Sequence, residues 1–187
     1  MEPMNLACDP SPAPDVWRDA WKFAATVHHG QKMPGSDLPY LYHLGAVVME
    51  LLAAHSESPI ADINLAVVCG ALHDTEEDQG VSTETLRQRF GAAVASGVEA
   101  LSKNGALPKN QAMADSLKRI RHQPSSVWCV KLADRIVNLA PPPSHWTSQK
   151  VTAYRAESVL ILEALGAAHA PLAARLEKKI QTYPLDT

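Results

Sequence analysis

The sequence predicts an all-α fold built around a single core, and three observations carry that prediction. Beyond about residue 14 the apolar residues recur with the helical period. No run of apolar–polar alternation is long enough to make a useful strand, and no internal repeat is visible. The segment Ile63 to His73 is apolar almost all round, which suits a helix at the centre of a bundle.

Met1 to about Ala13 carries Pro10 and Pro12 and reads as a flexible tail, leaving residues 14–187 as one domain. Asp15 is placed to cap a helix that runs through Trp17, Ala20, Trp21, Phe23, Ala24 and Val27 and ends near Gly30. Gln31 to Pro39 holds Pro34, Gly35 and Pro39 and is a loop. A helix is expected after His43, through Val47, Val48, Leu51 and Leu52. The apolar helix from Ile63 follows and runs into His73-Asp74-Thr75-Glu76-Glu77-Asp78. Ser82 caps a short helix that stops at Gly91, and Ala92 to Leu101 is another. Gly105 to Lys109 is a loop, and Gln111 to Arg121 a polar, exposed helix. Val127 to Leu139 is a second buried helix, broken by Ala140-Pro141-Pro142-Pro143. Gln149 to Leu165 and Pro171 to Tyr183 complete the bundle.

Composition narrows the function classes. At 187 residues with 46% hydrophobic residues, the chain is long and apolar enough to bury a substantial core. A formal charge of −3 and a pI near 6.2 argue against a nucleic-acid surface, where a strongly basic face is expected. No segment is long and apolar enough to span a bilayer, and the N-terminus lacks the basic start and apolar run of a signal peptide. Cys8, Cys69 and Cys129 lack metal-binding spacing and read as reduced thiols, two of them buried in apolar helices, with a cytoplasmic location as the default. A homo-oligomer is compatible with all of this.

Two places carry chemistry. His73 and Asp74 close a buried helix, and Glu76, Glu77 and Asp78 follow at once. That much negative charge in one partly buried corner repels itself unless a cation is present. In the helix from Val127, the polar residues Lys131, Asp134, Arg135 and Asn138 fall on one stripe, at about 100° per residue. A carboxylate, an amide and two cations on a narrow stripe suit a metal, a hydroxyl and a phosphate together. Of eight histidines, His29, His55, His122, His145 and His169 read as surface or helix-end residues. Either His28 or His43 could complete a two-His, two-Asp metal set, and spacing does not choose between them.

A family resemblance does choose. His28-His29-Gly30-Gln31, Pro39-Tyr40-Leu41-Tyr42-His43, Ala71-Leu72-His73-Asp74-Thr75-Glu76-Glu77-Asp78, Phe90-Gly91 and Val130-Lys131-Leu132-Ala133-Asp134-Arg135-Ile136-Val137-Asn138-Leu139 occur in the order found in the hydrolase domain of RelA/SpoT-type proteins. Trp146, Lys150, Tyr154 and Glu157 continue the likeness, which spans about Asp15 to Leu176. The chain thus resembles the stand-alone small alarmone hydrolases of the HD superfamily, and the resemblance implies an HD-type helical bundle that removes the 3′-pyrophosphate from (p)ppGpp, or its adenosine counterparts, with a metal-activated water. Carried over residue by residue, the metal ligands fall on His43, His73, Asp74 and Asp134, with His28 supporting them. The metal is usually manganese, though iron or zinc would also suit mixed imidazole and carboxylate ligands. The catalytic pair falls on Glu77 and Asp78. Asn138 faces substrate, Lys150 and Tyr154 match positions that contact phosphate or sugar, and Lys131 and Arg135 can offset phosphate charge.

The chain departs from the family in the loop before Pro39-Tyr40. An Arg-Lys pair is usual there, and its arginine stacks on the guanine; these positions are Met33 and Pro34 here, with Lys32 adjacent. Leu44 replaces the usual proline after the ligand histidine, and Ala140 to Pro143 differs from the long members. The altered base site keeps two alternatives in view: a hydrolase of another phosphorylated nucleotide such as NADPH, and a nucleotide-binding regulator without catalysis.

Overall fold

The computed structural model describes residues 11–184. Cys8 and most of the segment read as a tail lie outside the described residues. At its inner end, the Ala13 amide donates to Asn64 Oδ1 at 2.8 Å, and Asn64 Nδ2 donates to the Ser11 carbonyl at 2.9 Å.

The described residues form an all-α bundle: α1 (Pro14–Val27), α2 (Leu41–Glu57), α3 (Ile63–Leu72), α4 (Thr75–Gln79), α5 (Thr83–Phe90), α6 (Ala92–Leu101), α7 (Lys109–Arg121), α8 (Ser125–Asn138), α9 (Ser148–Leu165) and α10 (Ala170–Thr182), with a 3-10 turn at Gly166–Ala168 before α10. A lone antiparallel bridge joins Lys32 to Pro39 across the first loop. Among the described residues no helix is long and apolar enough to cross a membrane.

All ten residues of α3 are buried, and α1, α2, α6 and α8 pack around it. Helix α8 lies against α2, α3, α9 and α10. Two close approaches set the spacing of this core. A Cβ at Gly70 would come within 2.9 Å of Leu51 Cδ1 on α2, and one at Gly97 within 2.9 Å of Cys69 Sγ on α3. Asp62 caps α3 by accepting from the Leu65 amide, and its own amide donates to Ser126 Oγ. That bond ties the start of α3 to the start of α8, so the two helices run side by side and their far ends meet.

Most helix limits follow the sequence reading. Ser82 caps α5 through the Thr85 amide at 3.1 Å. Gly91, at φ 87°, makes the turn into α6 in a region that favours glycine. His169 takes a helix-end role, accepting from the Leu172 amide at the head of α10.

Four expectations change. Asp15 does not cap α1: Ala13 is the cap residue and Pro14 opens the helix, its fixed φ being suited to that position, while Asp15 pairs with Arg18. Helix α2 starts at Leu41, which places His43 inside its first turn. The acidic run after His73 forms the short helix α4. Helix α7 is amphipathic and buries Met113, Ser116, Leu117 and Ile120. Cys69 and Cys129 are free and buried, and burial pushes the Cys129 thiol up to about 12.

Candidate metal centre

Helices α2, α3 and α8 pack on one another and bring three ligand-type side chains together. His43 comes from the first turn of α2, His73 ends α3, and Asp134 projects from α8. His43 Nε2 lies 3.3 Å from His73 Nε2, 3.4 Å from Asp134 Oδ1 and 3.6 Å from Asp74 Oδ2. His73 Nε2 lies 3.0 Å from Asp74 Oδ2 and 3.8 Å from Asp134 Oδ1. One ligand atom from each of His43, His73 and Asp134 falls within 4.8 Å of the others, and all three residues are buried. Asp74, half-buried at the α3–α4 junction, sets Oδ2 beside both histidines but falls outside that three-residue group.

The surrounding hydrogen bonds aim these atoms inward. His73 Nδ1 donates to the Gly70 carbonyl at 2.9 Å, so in the neutral ring the lone pair is on Nε2, towards the cluster. The Tyr40 hydroxyl donates to Asp74 Oδ2 at 2.6 Å. Lys131 Nζ donates to Asp134 Oδ2 at 3.0 Å, and Asn138 Nδ2 donates to Asp134 Oδ1 at 2.5 Å.

Electrostatics follow from that crowding. Burial alone would lower the His73 pKa, but the Asp74 carboxylate and then Asp134 outweigh it and hold the ring at about 9. Burial would raise Asp74, but the charge and hydrogen bond of His73, helped by Tyr40, keep it at about 2. Asp134 is held well below the usual carboxylate range against its burial, first by Lys131 and then by the two histidines. Two imidazole nitrogens and two carboxylate oxygens converge here, and a proton can serve only one contact at a time. A divalent cation satisfies the donors of His43, His73 and Asp134 together, with Asp74 Oδ2 beside the histidines, so the residues fit a metal of that class, and an N/O donor set of this kind suits a first-row ion.

The remaining site residues divide. Helix α8 presents Lys131 and Asp134 to the metal cluster, with Asn138 at its exposed end. Arg135 turns the other way. It is 3% exposed, its Nη2 pairs with Glu157 at 2.5 Å, and its guanidinium lies 4.3 Å above the Tyr154 ring. Tyr154 stands edge-on to Trp146, over which Lys150 places its Nζ at 4.0 Å. Lys131, Asp134 and Asn138 thus make one group, and Arg135, Trp146, Lys150 and Tyr154 another.

Glu77 and Asp78 are both exposed and diverge from α4. Glu77 Oε2 accepts from the Lys103 amide at 2.9 Å, while Asp78 Oδ2 accepts from Gln31 Nε2 at 2.8 Å. Glu76 turns inward to the Thr83 hydroxyl, and burial raises its pKa. His28 is buried and does not enter the metal cluster: its ring stacks on Tyr40 at 5.3 Å, and its Nδ1 donates to Gln31 Oε1 at 2.6 Å. Sequence reasoning assigned no role to Tyr40 or Gln31. Both lie inside the motifs quoted above, and that placement was the available signal.

A family model described as an HD domain matches residues 20–177. The chain belongs to the HD domain family. Within it, this HD domain is 28% identical over 161 residues to the guanosine-3′,5′-bis(diphosphate) 3′-pyrophosphohydrolase MESH1 of Danio rerio, with 83% of this chain and 87% of that protein covered. It is 31% identical over 176 residues to a GTP pyrophosphokinase of Myxococcus xanthus, matching 89% of this chain but only 21% of that longer protein. The fold is that of a solved metazoan ortholog of SpoT, described as hydrolysing ppGpp, with a TM-score of 0.80 at 23% identity over 94% of this chain and 98% of that one.

Proposed function

We propose that this HD domain is a divalent-metal-dependent hydrolase that removes the 3′-pyrophosphate from alarmone nucleotides of the ppGpp type, and that residues 14–187 form its catalytic unit. The observation that carries the reading is the buried convergence of His43, His73 and Asp134, with Asp74 beside them. Relatives named as 3′-pyrophosphohydrolases that match most of their own length support the substrate class. We take manganese as the working metal and the cytoplasm as the compartment.

A bound divalent cation supplies Lewis acidity, lowering the pKa of a water it binds so that a nucleophile exists at neutral pH. His43, His73, Asp74 and Asp134 would hold that ion. Tyr40 and the Gly70 carbonyl orient Asp74 and His73, and Lys131 and Asn138 orient Asp134. Glu77 and Asp78, exposed on α4, take the proton released by the attacking water and hold it for the leaving group. Lys150 and the exposed amide of Asn138 meet the phosphates and sugar, while Arg135, locked to Glu157, fixes the Tyr154 ring. The reaction consumes one water and yields the 5′-diphosphate nucleoside and pyrophosphate.

One feature favours a second reading, hydrolysis of another phosphorylated nucleotide such as NADPH. Met33 occupies the position of the base-stacking arginine, so the base is less strictly selected. A purified preparation assayed with manganese against ppGpp, its adenosine analogue and NADPH, with products identified, tests both. Release of pyrophosphate from ppGpp, abolished by chelation, is expected. Turnover of NADPH alone would move the assignment to the second reading, and no metal-dependent turnover of any of the three would overturn both.

A further inference from the structure

Gln31 lies in the loop between α1 and α2, just after the His28-His29-Gly30 turn, and its backbone is fixed on both sides. Its amide donates to the His28 carbonyl at 3.0 Å, and its carbonyl accepts from the Tyr40 amide at 2.9 Å. From that anchored position the side chain makes three contacts. Nε2 donates to Asp78 Oδ2 at 2.8 Å, and Oε1 accepts from His28 Nδ1 at 2.6 Å and from Gln79 Nε2 at 2.5 Å.

These contacts permit one amide orientation. Rotating it by half a turn would set Oε1 against the Asp78 carboxylate and its NH2 against the NH2 of Gln79 and the ring N–H of His28. The His28 tautomer agrees with this assignment: its Nε2 is buried with no hydrogen-bond partner, which leaves the proton on Nδ1. His28 is itself held by burial and by its stack on Tyr40, whose hydroxyl reaches Asp74.

We propose that Gln31 is a positioning residue for hydrolysis, holding the Asp78 carboxylate in one rotamer through a His28–Gln31–Asp78 chain. The inference rests on the reading above that Asp78 handles a proton in the reaction. It separates the two acidic residues by their supports, since Glu77 is held by the Lys103 amide and not by Gln31. It also gives His28 a role distinct from metal support, as the group that fixes which end of the Gln31 amide faces Asp78.

The test is a mutant cycle on the manganese-loaded protein with ppGpp as substrate. Gln31→Met removes the donor at similar length, and Gln31→Glu keeps the acceptor for His28 and Gln79 but turns a carboxylate towards Asp78. Each is made alone, with Asp78→Asn and with Glu77→Gln, and kcat, KM, metal content and melting temperature are measured. In the otherwise unchanged protein, Gln31→Met is expected to lower kcat by roughly 10–100-fold, the range typical of orienting partners. Gln31→Glu should lower it further, and both should leave KM and metal content near their original values. With Asp78→Asn the Gln31 changes should cost nothing more, whereas with Glu77→Gln the losses should multiply, because coupled residues are non-additive and independent ones are not. A merely structural role would cost the same in every background, and that result overturns the proposal. So does an unchanged kcat in Gln31→Met while Asp78→Asn is impaired. A near-normal kcat in Asp78→Asn alone removes the underlying reading of Asp78, and the proposal with it.

Discussion

Tyr40→Phe isolates one hydrogen bond at the metal centre. The substitution keeps the ring that stacks on His28 and removes only the hydroxyl that donates to Asp74 Oδ2 at 2.6 Å. That oxygen is the one turned towards the cluster, 3.0 Å from His73 Nε2 and 3.6 Å from His43 Nε2. A hydrogen bond to a charged acceptor is worth about 1.5–3 kcal/mol. Part of this is recovered when water reaches a half-buried carboxylate, so about 1.4–2.8 kcal/mol is a fair span, or roughly 10–100-fold in metal affinity. The assay is a competition titration of manganese against a chelator, read by electron paramagnetic resonance, on the Tyr40→Phe and unmodified proteins. Tyr42→Phe is the control, since Tyr42 is 60% exposed and removing its hydroxyl should leave the affinity unchanged. A Tyr40→Phe affinity within about twofold of the original, below the 10–100-fold expected of an orienting partner, would refute the reasoning. It would mean that Asp74 is either oriented by other contacts or does not bind the ion.

The other predictions concern the ligands, the core, pH and the base. Asp134→Ala should abolish metal content and turnover together, whereas Glu77→Gln and Asp78→Asn should keep the metal and lower kcat by roughly 10²–10⁴-fold; metal analysis and kinetics on the same preparations decide it. Gly70→Ala drives a Cβ to 2.9 Å from Leu51 Cδ1 and should destabilise by about 1–2 kcal/mol after the gain in helix propensity, lowering the melting temperature by roughly 2–8 °C in a calorimetric scan. For the metal-free protein, His73 is raised from 6.5 to about 9, so its contribution to stability is full below 6.5 and lost as pH rises through 9. Asp74 is lowered from 3.8 to about 2, so its contribution is present above 3.8 and lost as pH falls through 2; urea midpoints of chelated protein should therefore decline outside the span 3.8–6.5. With Met33 in place of a stacking arginine, kcat/KM for ppGpp and its adenosine analogue should agree within about tenfold, and Met33→Arg should widen that ratio.

The fold was legible because its strongest signals are one-dimensional. An all-apolar α3 has one place to go, and Gly91 and Pro141-Pro142-Pro143 stop helices for reasons internal to the residue. The limits that moved, at Leu41 and Thr75, are helix starts without a side-chain cap, where the sequence offers no marker. The candidate ligands lie far apart in the chain. Spacing left His28 and His43 equivalent; the family resemblance selected His43, and the packing of α2 on α3 and α8 places it with His73 and Asp134.

Helix α8 shows why the rest was not legible. Lys131, Asp134, Arg135 and Asn138 share a stripe by helical period, and period is all that a sequence reports. A stripe about a third of the circumference wide can face two neighbours, and here it does. Asp134, held by Lys131, meets His43 and His73, while Arg135 meets Glu157, Ser158 and Tyr154 of α9. The division follows from charge. Asp134 beside Asp74 needs a nearby cation, and Lys131, one turn earlier on the same helix, is the one whose flexible ammonium reaches it at 3.0 Å. Arg135 could not do the same without abandoning Glu157, and its planar fork satisfies Glu157 and Ser158 while its face covers Tyr154. Arg135 is therefore bound up in holding α9 against α8, whereas Lys150 is exposed at the head of α9.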